Sequence, residues 1–381
     1  MKRVADPDGG SPARRRFLVQ SLAVLGAPAL LSVWSGQALA RGPAGSGTAS
    51  ISVRDKGARG DGKTDDTRAF QAAIDALPAT GGTVLVPPGN YMIDASRSVN
   101  LRPNMTLQMD AEAQLTAIPN NLTHYSVVKV FNADNSSIVG GRIVGERDNH
   151  DGTKGEWGFG LNIRASSNVK VSDIHISDCW GDGIWVGALG RGIGVQVSSN
   201  VTLDRVVCSN NRRQGMSVGP VQGLTVTNST FTKTNGTAPE AGIDLEPLGQ
   251  GPTRDVSIIG CTVVDNHGTG VEMHDHVAGV EIRNCVIRDN NGYGVLGVNT
   301  TGIVLADNQI IGNGLFGVVM AKASSDVKIT GNTLANHSAR YVHRAIKQLV
   351  SPDADASKHP SDLRVDGSTS NVHVSANKFS L

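Results

Sequence analysis

Asp244, Glu246, Glu272 and His274 are the residues whose types and spacing best suit chemistry in this chain. They lie in two short runs, Gly242-Ile243-Asp244-Leu245-Glu246 and Gly270-Val271-Glu272-Met273-His274, whose leading glycines are 28 residues apart. In an extended strand the alternation sends Ile243, Leu245, Val271 and Met273 to one face and the four ionisable side chains to the other. If the runs are neighbouring rungs of a parallel sheet, three carboxylates and an imidazole share one patch. Like charges that close cost free energy unless a substrate, a metal or a shared proton compensates. Crowding also separates the acids, leaving one carboxyl protonated to assist a leaving oxygen and another ionised to attack or to activate water. Adjacent strands lie about 4.8 Å apart, so Asp244 and Glu272 come near the spacing of about 5 Å of a retaining glycosidase pair. Asp244 and Glu246, or diagonal pairs, approach the range of about 6.5–9.5 Å of an inverting one.

Other residues support this set. Asp182, in Cys179-Trp180-Gly181-Asp182-Gly183, lies two rungs from Asp244 and completes the acid set, and Arg213 is placed to neutralise a sugar carboxylate or a crowded acid. His274 assists proton transfer or orients a sugar hydroxyl. Trp157, Trp185 and Tyr293 are expected to stack on sugars, since ring faces bury apolar sugar surface. Trp180 is expected to pack instead. Glu146, Asp148, His150 and Asp151 form a polar loop upstream, able to reach over a groove, with no ligand spacing that marks a metal site.

The elements that must position these residues are repeats. Val256–Asn266, Val280–Asn290 and Ile303–Asn313 are successive copies, each two short alternating strands, an Asn-rich turn and a Gly-led strand. The Gly-led strands start at Gly183, Gly215, Gly242, Gly270, Gly294 and Gly317. One such repeat cannot bury its own apolar face and must stack on its neighbours. With no LxxLxL pattern and three short strands per coil, the expected fold is all-β, a right-handed parallel β-helix. Asn210, Asn266, Asn290 and Asn313 are expected to be stacked turn residues in left-handed backbone. Residues 51–381 form one β-helix domain, with a cap at 51–95 and an irregular insertion at 339–370. In the cap, Asp65, Asp66 or Thr67 starts a helix whose stripe is Phe70, Ala73, Ile74 and Leu77, and Gly81 to Tyr91 holds a strand closed by a Pro-Gly turn.

The cap closely resembles the N-terminal cap of the pectate-lyase-like β-helix families. Trp180-Gly181-Asp182-Gly183, Arg213-Gln214-Gly215 and Gly242-Ile243-Asp244-Leu245-Glu246-Pro247 resemble motifs of secreted bacterial polysaccharide hydrolases, lyases and epimerases. The acid triads of polygalacturonases are not reproduced. Gly270-Val271-Glu272-Met273-His274 is similar to mannuronan epimerases, which carry an acid two residues and a His four residues after the rung glycine, though their Tyr and Lys partners are not evident. Resemblance to pectate lyases would imply Ca²⁺ held by Asp244, Glu246 and Glu272, with Arg213 as base.

Residues 1–40, with Arg14-Arg15-Arg16, an apolar stretch and Ala38-Leu39-Ala40, resemble a cleaved twin-arginine signal peptide. That implies the twin-arginine export machinery as a partner and a periplasmic or secreted protein without a stable membrane anchor. Residues 41–50 read as a flexible lead-in. Aromatics are 4% and glycines number 46, which suits many short strands and tight turns rather than an aromatic core. The formal charge of +1 shows no basic stripe of a nucleic-acid binder. Cys179, Cys208, Cys261 and Cys285 lack CxxC spacing and read as stacked small hydrophobes, with a disulfide left open. The chemistry expected of a monomer is hydrolysis of glycosidic bonds in a polysaccharide or oligosaccharide without a cofactor. The alternatives are a calcium-assisted lyase or C5-epimerase on a uronic-acid polymer, and a non-catalytic glycan-binding or spike-like solenoid.

Overall fold

The computed structural model describes residues 49–190, 192–247, 249–337 and 362–380. The leader and nearly all of the lead-in, which ends in the strand Ser50–Ser52, lie outside them. The described chain winds as a three-sided solenoid of short parallel strands. One side of twelve strands runs from Asp61–Asp65 to Lys378–Ser380. A second runs from Ser50–Ser52 to Ser370–Ser375. The third, the groove sheet, runs from Val99–Asn100 to Leu363–Val365. Inward residues of all three sides, such as Leu115, Ile143, Ile176, Cys208, Phe231, Val263 and Ile287, form one continuous buried column. The pairing is parallel throughout, except where the groove strand Asp182–Leu189 ends in an antiparallel step, Ala188 opposite Val197 and Leu189 opposite Gln196.

The cap follows the sequence with one refinement. The helix Thr67–Asp75 buries Phe70, Ala73 and Ile74 over the first coil, joined by Leu77 just beyond its end. Asp66 stands at its N-cap without a side-chain cap bond, and it is the Oδ1 of Asp65 that accepts the backbone N–H of Thr67 at 3.0 Å. Asp66 instead accepts from the backbones of Arg59 and Gly60 and ties down the preceding loop.

Each groove strand begins with glycine because the next coil leaves no room for a side chain. A Cβ on Gly215 would lie 2.4 Å from the Gly242 carbonyl oxygen, and one on Gly270 would lie 2.6 Å from that of Gly294. The asparagines differ from expectation by one residue. Asn210 does adopt left-handed backbone, but in later coils the left-handed residue is Asp265, Asp289 or Gly312. Asn266, Asn290 and Asn313 turn inward and are buried, each bonding the next through side-chain amides and backbone N–H groups. An amide carries both donor and acceptor, so a buried ladder satisfies turn groups that water cannot reach.

One further expectation changes. The insertion at 339–370 is not irregular to its end, because Leu363–Val365 adds a rung beside Val318–Ala321; residues 338–361 lie outside the described residues. All four cysteines are free and buried, and Cys261 and Cys285 stack as hydrophobes, the backbone N–H of Cys261 reaching Cys285 Sγ at 3.4 Å.

Candidate active site

The register of the groove sheet builds the site. Asn162 pairs with Trp185, Trp185 with Ser217, Ser217 with Asp244, Asp244 with Glu272, and Glu272 with Leu296. The strands Ile243–Leu245 and Val271–Met273 are anchored by Ile243, Leu245, Val271 and Met273, all fully buried in the column. Their opposite faces therefore carry Asp244 and Glu272 side by side.

Asp182, Asp244 and Glu272 are nevertheless almost inaccessible, at 0%, 1% and 1% exposure, where an open groove is expected from sequence. Asp182 takes two hydrogen bonds from one guanidinium nitrogen of Arg213, at 2.9 and 3.1 Å, and a third from the Ser217 hydroxyl at 2.8 Å. Burial pushes its carboxyl up to about 6 against the pull of Arg213 and Ser217. Three donated hydrogen bonds make the carboxylate the form that this pocket accommodates at neutral pH. Gln214 donates to Asp244 Oδ2 at 2.7 Å and accepts the backbone N–H of Ala241 at 2.8 Å, so its amide can point only one way.

His274 Nε2 stands 3.5 Å from Asp244 Oδ1, an ion-pair distance that leaves that oxygen without a hydrogen-bond partner among the described residues. Glu272 Oε1 is also buried without one. Burial first, and then the Asp244 charge, raise Glu272 from its usual 4.5 to about 8. Burial opposes a charge on His274, but Asp244, Glu272 and Glu246 outweigh it and lift the imidazole to about 9. Glu272 is thus held protonated at neutral pH, with a cationic imidazole beside it.

The remaining expected residues are distributed along the same sheet. Half-buried Glu246 follows Asp244 and its charge reaches Glu272, His274 and Arg213. Tyr293 stands on the far side of Glu272, whose charge it feels, with its carbonyl accepting the Gly270 N–H at 2.8 Å. Trp185 lies in the column next to Ser217, but the guanidinium of Arg164 covers its ring at 3.9 Å, where a sugar face was expected. Trp157 is three strands from Asp244 and stacks on His124 at 4.2 Å. Arg213 is buried behind Asp182 and not presented to a ligand. Trp180 packs as expected, between His150 at 4.0 Å and Arg212 at 3.7 Å. Glu146 and His150 turn inward, and Glu146 accepts from Tyr125 and meets His150 Nδ1 at 2.9 Å. Sequence reasoning assigned no role to Gln214 or Ser217. The signal was available, since Gln214 stands before a rung glycine and Ser217 stands in the acid column.

Residues 50–298 match the family described as rhamnogalacturonase A/epimerase, pectate lyase-like, and residues 248–379 match the right handed beta helix region. The chain belongs to the pectate lyase-like family. Among its relatives, the uncharacterized protein YclG of Bacillus subtilis (strain 168) is 29% identical over 360 residues, 83% of this chain and 62% of YclG. Mannuronan C5-epimerase AlgE2 of Azotobacter vinelandii is 27% identical over 291 residues, 76% of this chain and 24% of that protein. The chain therefore spans less than two thirds of either relative. The A-module of Azotobacter vinelandii mannuronan C-5 epimerase AlgE6 superposes with a TM-score of 0.58 at 18% identity, over 87% of this chain and 99% of that one, a likeness of fold.

Asp244, Glu272 and His274 each offer one ligand atom, all within 4.8 Å of one another, so the trio could hold a cation. A nitrogen among so few oxygens suits a transition metal better than Ca²⁺, which takes six to eight oxygen ligands. No helix among the described residues is long and apolar enough to cross a membrane.

Proposed function

We propose that the protein is an exported enzyme that cleaves glycosidic bonds of a polysaccharide or oligosaccharide by carboxylate acid/base hydrolysis. The observation that supports this best is the Asp244–Glu272 pair: adjacent acids on neighbouring strands, each with a buried oxygen that has no hydrogen-bond partner among the described residues. In this reading Glu272 keeps its proton at neutral pH and gives it to the departing glycosidic oxygen as the C1–O bond breaks. Asp244, aimed by Gln214 and faced by His274, attacks C1. The short spacing of the pair suits such a nucleophile, because a retaining enzyme needs carboxyls about 5–5.5 Å apart. Glu272 then takes a proton from the water that releases the sugar. Arg213 and Asp182 are positioning residues, which through Ser217 hold the strand beside Asp244.

A lyase or C5-epimerase is the second reading, favoured by the cation-sized trio and by similarity to the mannuronan C5-epimerases. Against it, Arg213, the base that the lyase resemblance implies, is buried and paired with Asp182. The test is incubation of the mature protein with a polysaccharide panel, with and without EDTA. New reducing ends without ultraviolet absorbance, lost in Asp244→Asn and Glu272→Gln, are expected. Absorbance from an unsaturated sugar, or EDTA-sensitive epimerisation, would overturn hydrolysis in favour of the second reading.

A further inference from the structure

In each carboxyl of the acid pair one oxygen is tied and the other is left over. Gln214 holds Asp244 Oδ2 at 2.7 Å, its own amide fixed by the Ala241 N–H, so Asp244 Oδ1 is the oxygen that faces His274. The Thr269 side chain hydrogen-bonds Glu272, yet Glu272 Oε1 has no hydrogen-bond partner among the described residues, and neither has Asp244 Oδ1. Both residues lie too deep for bulk water to make up the deficit. His274 Nε2 stands 3.5 Å from Asp244 Oδ1, too far for the charge-assisted hydrogen bond of about 2.7–2.9 Å that such a pair otherwise forms. The separation fits an edge of a metal polyhedron instead, because bonds of about 2.0–2.2 Å at the tetrahedral angle hold ligand atoms about 3.3–3.6 Å apart. One ligand atom of Glu272 completes a triangle no wider than 4.8 Å, which a side-chain shift of about 1 Å closes onto a single ion. The carboxyls form the base of the pocket, and the imidazole, with 32% of its side chain exposed, stands at the mouth. An ion therefore enters past His274, drawn also by the charge of Glu246 that reaches both Glu272 and His274.

We propose that Asp244, Glu272 and His274 together bind a divalent transition-metal ion of the zinc class, and that the bound ion switches the enzyme off. The switching rests on the hydrolase reading; the binding does not. One imidazole nitrogen and two carboxylate oxygens suit an ion that takes four ligands and favours imidazole, with water completing the set. Ca²⁺ is poorly served here, because it takes six to eight oxygens. A divalent ion displaces the Glu272 proton and the imidazolium proton, so the net charge of the pocket does not change. With the ion in place Asp244 Oδ1 is engaged and does not attack C1, and Glu272 has no proton to give the leaving oxygen.

The test titrates Zn²⁺ alone calorimetrically into the full mature chain after treatment with EDTA and removal of the chelator. One saturable site is expected, weakened about tenfold or more in His274→Gln and in Glu272→Gln. It should be unchanged in His267→Gln, which removes an imidazole exposed at the surface beside Glu240. Glu272→Gln guards against a variant that merely misfolds, since it is expected to be more stable than the unmutated chain, and circular dichroism checks each fold. Co²⁺ in place of Zn²⁺ should give the visible absorption of a tetrahedral ion, lost in His274→Gln, and roughly a hundredfold excess of Ca²⁺ should leave that absorption in place. Zn²⁺ should stop the release of reducing ends by the unmutated enzyme and EDTA should restore it, while the residual turnover of His274→Gln should be about tenfold or more less sensitive. No saturable binding, binding indifferent to both variants, or displacement by Ca²⁺ overturns the site and leaves the hydrolase reading standing. Binding at the trio that leaves hydrolysis untouched overturns the switch alone. Binding that starts a reaction where none ran before overturns the switch and the hydrolase reading together.

Discussion

Replacing Glu272 with Gln should make the protein more stable while removing its activity. Glu272 is 1% exposed, lies next to Asp244 and has its pKa raised by burial from 4.5 to about 8. In an unfolded chain the carboxyl ionises freely; in the fold it must stay protonated or carry an expensive charge. The folded state then binds more protons than the unfolded state between those two values, so stability falls as pH rises through that window. At about pH 7 the penalty is about 3 kcal/mol, and at about pH 4 it vanishes. Glutamine has the same shape and no such penalty. Melting curves of Glu272→Gln and the unmutated chain should coincide at about pH 4 and separate by about 3–6 °C in favour of the variant at about pH 7. Turnover should drop roughly 10²–10⁴-fold, the usual contribution of a general acid. A variant less stable at both pH values would refute the reasoning, because it would mean that Glu272 is ionised and paired in the fold.

The acid paired with Arg213 should behave in the opposite way. Asp182→Asn strips the partner from buried Arg213, and should cost about 3 kcal/mol in urea unfolding, the low end for a broken buried pair because Glu156 remains 4.0 Å away. Asn290→Ala removes the amide that bonds Asn266, Asn313 and the Val263 carbonyl, and should cost about 3 kcal/mol or more, read as an earlier first unfolding transition. The rate profile of the unmutated enzyme should lose kcat/KM as pH rises through about 8, where Glu272 gives up its proton. A descending limb that persists in His274→Gln, moved to higher pH because the His274 charge no longer holds the Glu272 pKa down, would assign it to Glu272; its disappearance there would assign it to His274.

Much of the fold was legible because the coil repeats. The rung glycines are imposed by a carbonyl of the next coil, which leaves a mark at every repeat, and the alternation around Asp244 and Glu272 gave the correct outward face. The asparagine reading slipped by one residue because two side-by-side polar residues, Asp265 and Asn266 or Asp289 and Asn290, divide the turn between them. One takes the left-handed backbone and the other the buried ladder, and composition does not say which. Leu363–Val365 was hidden for a different reason: a three-residue strand at the end of a long polar stretch has too few residues to show a period. Depth was also illegible. Alternation tells which face a side chain occupies, not what closes over it, so the burial of Asp182, Asp244 and Glu272 could not be foreseen. The Arg213–Asp182 pair joins different coils, and pairwise contacts at that separation have no sequence signature.

The acid cluster and the register of the strands specify each other. Ile243–Leu245 and Val271–Met273 are three residues long, so each has only two inward side chains to hold it in place. A slip of one residue would exchange those apolar side chains for Asp244 and Glu272 and drive both carboxyls into the hydrophobic column. Burying unpaired acids there would cost far more than their mutual repulsion on the outer face. The charges that appear destabilising in the folded site therefore exclude the one misfold most accessible to such short strands. Along the same column the outward residues run Lys129, Asn162, Trp185, Ser217, Asp244, Glu272, Leu296, Val319 and Arg364. That order is asymmetric, with Lys129 and Trp185 before the acids and apolar Leu296 and Val319, then Arg364, after them.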